Sequence, residues 1–143
     1  MSILILTALG LIPFVVGWIV NFLIMADVFP WFLATAVLIL IWGFIAYKAY
    51  GRVKSVTKIV IFLNIVALVV LILIGVQELV LQRYWFNFIG RWSQNYYLPF
   101  IFFGFLFSGA STVFAGYCVA FILMVIASLA GCLIKKRKMA YGE

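Results

Sequence analysis

The chain has 143 residues, of which 69% are hydrophobic and only 9% are charged, and its mean hydropathy is +1.34. An average soluble domain is about 45–50% apolar and about 25% charged, so a soluble fold of this length is excluded, because it would leave too much apolar surface in water. Each helical crossing of a bilayer takes about 20 residues. We therefore expect one all-α integral membrane domain over residues 1–143.

Charge and residue types also exclude several kinds of chemistry. The net charge is +7, but the basic residues flank apolar segments, where they set membrane orientation, so we predict no nucleic-acid partner. Histidine is absent from the sequence. Cys118 and Cys132 lie on one apolar segment about 21 Å apart along a helix, too far for a disulfide with each other. We expect no metal and no cofactor, since the ordinary ligand sets are missing.

The first two predicted spans form a hairpin. Residues 2–26 lack a basic N-terminal region and are apolar for too long to be a signal peptide, so they are read as a span. Pro13 near its middle predicts a kink. Asp27 complements the N-terminal dipole of the second span, residues 31–50, and Pro30 suits the first turn of that helix.

The segment after the second span fixes the predicted orientation. Residues 48–58 carry four basic side chains and no acid, so this loop is expected in the cytoplasm. The third span, residues 59–81, then carries Glu78 about 30 Å from Lys58. Glu78 is therefore expected at the opposite membrane interface and not in the bilayer interior.

Residues 84–97 are predicted to form an aromatic helix lying in the external interface, because large apolar side chains recur there at helical spacing. Aromatic residues and arginine are enriched at binding hot spots, so the helix is a candidate contact with a partner. The alternative is an aromatic belt that holds the bundle at its depth in the bilayer. The candidate interface consists of Trp85, Phe88, Ile89, Arg91, Trp92 and Tyr96.

Residues 98–134 are nearly uncharged and form the predicted fourth span, which is too long for one ordinary crossing and too short for two with a loop. A bend or break is expected at residues 108–112. A single crossing puts the terminal basic cluster on the side of residues 48–58, whereas two crossings separate them, so the positive-inside rule favours one. The fold class is thus a four-transmembrane-helix bundle with both termini in the cytoplasm.

The basic cluster at the end of the fourth span is read mainly as a stop-transfer flank. It also offers a candidate site for anionic lipid headgroups, at about 1 kcal/mol per residue near the surface. The cluster consists of Lys135, Lys136, Arg137 and Lys138.

Small residues on the fourth span fall within one arc of a helix at about 100° per residue. Helices in lipid associate by close packing, so such an arc marks a contact face. The face serves either packing within the bundle or contact with another subunit. Its residues are Gly109, Thr112, Gly116, Ala120, Ala127 and Gly131.

The third span places Asn64, Gly75, Glu78 and Gln82 on one side, as a candidate polar path or as packing with an interfacial rim. By its depth, Asn64 is expected to hydrogen-bond a neighbouring helix. No residue here is both ionisable and deep in the bilayer, which disfavours a solute path. The serines have no activating base nearby, and the two external carboxylates are explained by a helix cap at Asp27 and by pairing of Glu78 with Arg83, so no catalytic residue and no enzyme are predicted.

Two functional hypotheses follow. The first is a small accessory or scaffold subunit that packs against partner helices in a larger membrane complex. The second is a self-associating small transporter or pore that uses the polar face of the third span. The expected partners are the lipid bilayer and other membrane subunits or the chain itself. Short loops and the charge asymmetry suggest a bacterial cytoplasmic membrane.

Overall fold

The computed structural model describes residues 2–25, 31–109 and 112–141. Within these ranges every regular element is helical and no strand forms, which confirms the all-α prediction. Four stretches are long and apolar enough to span a membrane: Ile3–Leu23, Phe32–Val53, Val56–Val80 and Val113–Ala140. The α-helices are α1 (Ile3–Leu9), α2 (Ile12–Met25), α3 (Trp31–Val53), α4 (Val56–Gly75), α5 (Phe88–Tyr97), α6 (Ile101–Ser108) and α7 (Val113–Ala140). The predicted capping role of Asp27 lies outside the described residues.

The first apolar stretch is broken at the predicted kink. Helix α1 ends at Leu9, with Gly10 as its C-cap, and α2 begins at Ile12, next to Pro13, which has no N–H to continue the α1 ladder. The Phe14 amide donates to the Leu11 carbonyl at 3.0 Å. The Gly10 carbonyl instead accepts a hydrogen bond from the Tyr96 hydroxyl at 2.9 Å, so a side chain of α5 satisfies a backbone group that the kink sets free.

Helices α3 and α4 are joined by a short basic turn. Lys54 adopts φ 53°, and the Ser55 hydroxyl caps α4 by accepting the Lys58 amide at 3.4 Å. At its far end α4 continues as a π-helical turn, Val76–Val80. This wider turn rotates the following residues away from the register of a continuous α-helix.

The predicted fourth span is two helices instead of one. Gly109 ends α6 in the left-handed conformation, φ 64°, and the Thr112 hydroxyl caps α7 by accepting the Ala115 amide at 3.0 Å. The break therefore lies within residues 108–112, as predicted, although residues 110 and 111 are outside the described ranges. Helix α7 alone is long enough to cross, and α6 folds back along it.

Helices α5 and α6 form a V that enters and leaves the bundle at the same end. Along α5, Ser93 bonds Gln77 near the end of α4, whereas the Tyr97 hydroxyl reaches the Ala67 carbonyl at 2.6 Å, far back along that helix. A 3₁₀ turn, Leu98–Phe100, then reverses the direction of the chain. We call this turn the apex; it packs between α2 and α3.

The helix predicted within residues 84–97 forms as α5, and one side of it is buried in the bundle; its position relative to the membrane interface stays a prediction. Gly90, Ser93, Tyr96 and Tyr97 form that side. The two tyrosine hydroxyls lose no hydrogen bonds on burial, because backbone carbonyls of the first span and of α4 accept them. The helical periodicity of the sequence distinguished two faces of α5, but it did not show that other parts of the bundle cover one of them.

The two basic segments lie at one end of the bundle. The Lys135 ammonium sits 5.1 Å from the centre of the Tyr47 ring, and a Cβ on Gly51 would be 3.7 Å from the Lys135 side chain. We call this the basic end. The opposite end, which carries Phe86 and Phe88 exposed by 86% and 71%, is the aromatic end.

Candidate functional site

A buried amide ties three helices together near the basic end. Asn64 of α4 accepts from the Trp42 indole N–H at 3.1 Å and donates to the Ser128 hydroxyl at 3.0 Å and to the Val60 carbonyl at 2.9 Å. Ser128 in turn donates to the Met124 carbonyl at 2.8 Å. The amide has no free donor for a solute, so its hydrogen bonds hold α3, α4 and α7 in register.

A second amide, Gln77, organises the aromatic end and was not predicted as a site residue. It is fully buried, donates to the Leu73 carbonyl at 3.2 Å and the Ser93 hydroxyl at 3.1 Å, and accepts the Trp85 amide at 3.0 Å. Gln77 therefore fixes the connection from α4 to α5. An α-helical register through residue 82 pointed to Glu78 and Gln82, whereas the π-helical turn brings Gln77 inward.

The remaining residues of the candidate polar path are separated from Asn64. Glu78 accepts the Tyr84 hydroxyl and, at 3.0 Å, the Phe114 amide at the start of α7. Burial and this carboxylate raise the pKa of Tyr84 well above its ordinary value. Gly75 faces the Phe114 ring, and Gln82 is exposed with φ 51°. Glu78 thus acts as a junction between α4 and α7.

The small residues of the fourth span pack within the chain. A Cβ on Gly131 would overlap the Gly43 carbonyl of α3, and Ala127 lies beside the same glycine. Gly116 faces the Phe105 ring of α6, and Ala120 is completely buried. At the break, a Cβ on Gly109 would meet nothing within 4 Å among the described residues, and Thr112 caps α7. Close helix contact inside the bundle accounts for Gly116, Ala120, Ala127 and Gly131.

The residues of the predicted external interface divide between buried and exposed positions. Trp85 is half-buried beside Gly90, and Tyr96 is completely buried. Phe88, Ile89 and Trp92 are exposed by 71%, 54% and 40%, and Arg91 is exposed beside them. The exposed members form one continuous surface at the aromatic end.

That surface borders a pocket between α2 and α5. Its volume is about 510 Å³. We call it the aromatic pocket; it is lined by Trp18, Asn21, Phe86, Phe88, Arg91, Trp92 and Asn95.

An apolar groove runs between α2 and α3, above the apex. Its volume is about 330 Å³, and Val20 at its base is 5% exposed, whereas Val37 at its rim is 49% exposed. We call it the interhelical groove; it is lined by Val16, Ile19, Val20, Leu23, Leu33, Ala34, Val37 and Leu38.

At the basic end, the terminal cluster continues α7 beyond its buried residues. Lys135 is half-buried over Tyr47, whereas Lys136, Arg137 and Lys138 are exposed. Their charges lie near the C-terminus of the helix, where its dipole favours cations. The helix dipole stabilises these charges, and their binding of anionic lipid headgroups stays a prediction.

Four long apolar helices with buried, internally bonded polar groups define the class as a multi-pass integral membrane protein. Across the described ranges, no group of three His, Cys, Asp or Glu side chains is placed to hold a metal ion. No known protein family, curated protein or solved structure matches the chain. A function must therefore be argued from its surfaces.

Proposed function

We propose that the protein is a small accessory or scaffold subunit that packs against a partner helix in a larger membrane complex. The observation that carries the proposal is the interhelical groove, which leaves an apolar channel open along two spans. Two neighbouring helices normally close such a channel by direct packing. Here the apex holds α2 and α3 apart at the level of Pro99 and Phe100, which line the deeper end of the cleft with Trp42.

The interior supports a packing role over a transport role. Asn64 of α4 and Gln77 of the π-helical turn are buried amides, and their N–H donors are taken by carbonyls of α4 and by the hydroxyls of Ser128 and Ser93. The outward face of α4 is apolar, with Ile61, Val69 and Ile72 each exposed by more than half. A self-associated pore would need a polar face directed outward, so this alternative has no support from α4.

In the proposed setting, the basic end faces the cytoplasm and the aromatic end faces the opposite side, in a bacterial cytoplasmic membrane. The support is the positive-inside rule, because the two basic segments share one end of the bundle. A partner helix in the interhelical groove would then cross the same bilayer. Its chemistry would be apolar, with small residues where it approaches Val20.

Site-specific photocrosslinking in native membranes tests the proposal. A benzophenone amino acid at position 37 lies on the groove rim, and the matched control at position 69 lies on the outward face of α4, where Val69 is 53% exposed. We expect a protein adduct of discrete mass from position 37 and none from position 69. Lipid adducts alone at both positions would refute the proposal, and an adduct with the mass of a second copy would favour self-association.

A loss-of-contact experiment gives a second readout. Val37→Trp fills the groove, whereas Val69→Trp adds the same bulk to the control face. We expect Val37→Trp to abolish co-purification of the crosslinked partner in gentle detergent and Val69→Trp to retain it. Equal recovery of the partner with both variants would show that the groove is not the contact.

A further inference from the structure

The aromatic pocket brings together polar groups that have no partner in the part of the chain that the structure describes. Arg91 and Asn95 come from α5 and Asn21 comes from α2. For none of the three side chains does a hydrogen bond or ion pair occur within residues 2–25, 31–109 and 112–141. By contrast, the amides of Asn64 and Gln77 are bonded on every side. The pocket thus holds unused donors beside a guanidinium.

Close packing of α2 on α5 fixes the positions of these groups. A Cβ on Gly17 would overlap the Asn95 carbonyl, so only glycine allows the two backbones to meet there. The ring of Phe14 packs against Trp92 at 5.3 Å between centroids. One turn beyond Gly17, Asn21 is carried into the pocket by the same helix that contacts α5.

The donors are charged and polar, and the walls are aromatic. No carboxylate lines the pocket among the described residues, so the charge of Arg91 is available to an anion. Guanidinium groups match the oxygens of a phosphate in geometry and charge. Trp18 is 65% exposed, and tryptophan prefers the depth at which lipid headgroups meet the acyl chains.

We propose that the aromatic pocket binds the phosphodiester headgroup of an anionic lipid. The Arg91 guanidinium donates to the phosphate oxygens, and the Asn21 and Asn95 amides donate to the phosphate and glycerol oxygens. The acyl chains extend along the exposed apolar side of α2, where Val15 and Phe22 are 62% and 71% exposed. This apolar surface continues the pocket and favours a lipid over a free phosphate ion. The site is independent of the interhelical groove.

Titration of the full chain in neutral detergent tests this inference. The probe is a short-chain phosphatidylglycerol, followed by tryptophan fluorescence and by adduct counting in native mass spectrometry. We expect saturable binding of one lipid, with affinity lowered about tenfold or more by Arg91→Gln, because a charge-assisted hydrogen bond is lost. The matched control is Arg83→Gln, which removes the same charge from an exposed position outside the pocket and is expected to change affinity less than about twofold.

Several outcomes would overturn the inference. An equal loss of lipid affinity in Arg91→Gln and Arg83→Gln would show that the lipid responds to the general surface charge and not to the pocket. Phosphatidylcholine binding as tightly as phosphatidylglycerol would show that the site does not require an anionic lipid. Competition by inorganic phosphate at a concentration equal to that of the lipid would show that the site recognises a phosphate ion and not a lipid. Arg91→Lys restores the charge and is expected to recover part of the affinity. No recovery of affinity in Arg91→Lys, in a variant with an unchanged unfolding midpoint, would contradict the role assigned to the positive charge.

Discussion

Tyr96→Phe tests whether a side chain satisfies the carbonyl that the Pro13 kink sets free. The substitution keeps the ring, which packs on Phe14 at 4.7 Å between centroids, and removes only the hydroxyl that bonds the Gly10 carbonyl. Because the site is completely buried, water cannot replace the lost donor. An orphaned buried acceptor costs about 1–3 kcal/mol, and we expect the free energy of unfolding to fall by that amount.

Tyr97→Phe is the matched control one residue further along α5. Tyr97 is equally buried, and its hydroxyl also donates to a backbone carbonyl, that of Ala67. Ala67 lies inside α4, where its carbonyl also accepts the amide four residues on. Removal of the hydroxyl therefore leaves that carbonyl bonded, and we expect a loss of about 0.6 kcal/mol, the average for a hydrogen bond between membrane helices.

Equilibrium unfolding in mixed micelles, with denaturing detergent as the titrant and tryptophan fluorescence as the signal, measures both losses. A loss for Tyr97→Phe equal to or larger than that for Tyr96→Phe would refute the reasoning. A double-mutant cycle sharpens it. In a Pro13→Ala background the Phe14 amide is free to return to the Gly10 carbonyl, so Tyr96→Phe should cost less there than in the wild-type chain.

Three further predictions, made with five substitutions, are tested in the same assay. Gly131→Ala should destabilise the protein by about 1–3 kcal/mol, because the added Cβ meets backbone atoms of α3. Its control, Gly51→Ala, should stabilise the protein by up to about 1 kcal/mol, since a Cβ has room there. Equal effects of the two substitutions would contradict the close contact between α3 and α7. Asn64→Leu should cost about 1–3 kcal/mol by leaving the indole N–H unpaired, and Asn21→Leu should cost little; the reverse order would be inconsistent with the network. Gly109→Ala should cost about 1 kcal/mol from its positive φ alone, and a stabilisation would show that the turn is not held in that conformation.

The sequence was sufficient for the features that depend on composition and local chemistry. Apolar length predicted the four long helices, and Pro13 predicted the kink. Gly109 and Thr112 belong to residue types that end and begin helices, so the break between α6 and α7 fell where expected. Each of these signals is read from residues adjacent in the chain.

The features that were missed depend on pairings between distant residues. Tyr96 meets Gly10 across 86 positions, and no local pattern shows that a carbonyl there needs a donor. Gln77 was overlooked because the periodicity of an α-helix was continued through the π-helical turn. The folding of α6 back onto α7 depends on Gly104 meeting Gly116 and Ala120, a contact that an apolar run of 37 residues does not specify.

Helix α5 links the internal structure to the proposed lipid site. On its buried side, the Tyr96 hydroxyl bonds the Gly10 carbonyl at the kink. Arg91 precedes Tyr96 by five residues, which places it about 140° around the helix, and it lines the aromatic pocket. Because Tyr96 bonds the Gly10 carbonyl whereas Arg91 lines the aromatic pocket, the effects of their substitutions should separate. Tyr96→Phe should lower the free energy of unfolding and leave the lipid affinity unchanged. Arg91→Gln should lower the lipid affinity and leave the free energy of unfolding unchanged. Parallel losses in both measurements would mean that the pocket exists only through the fold of α5 and has no recognition of its own.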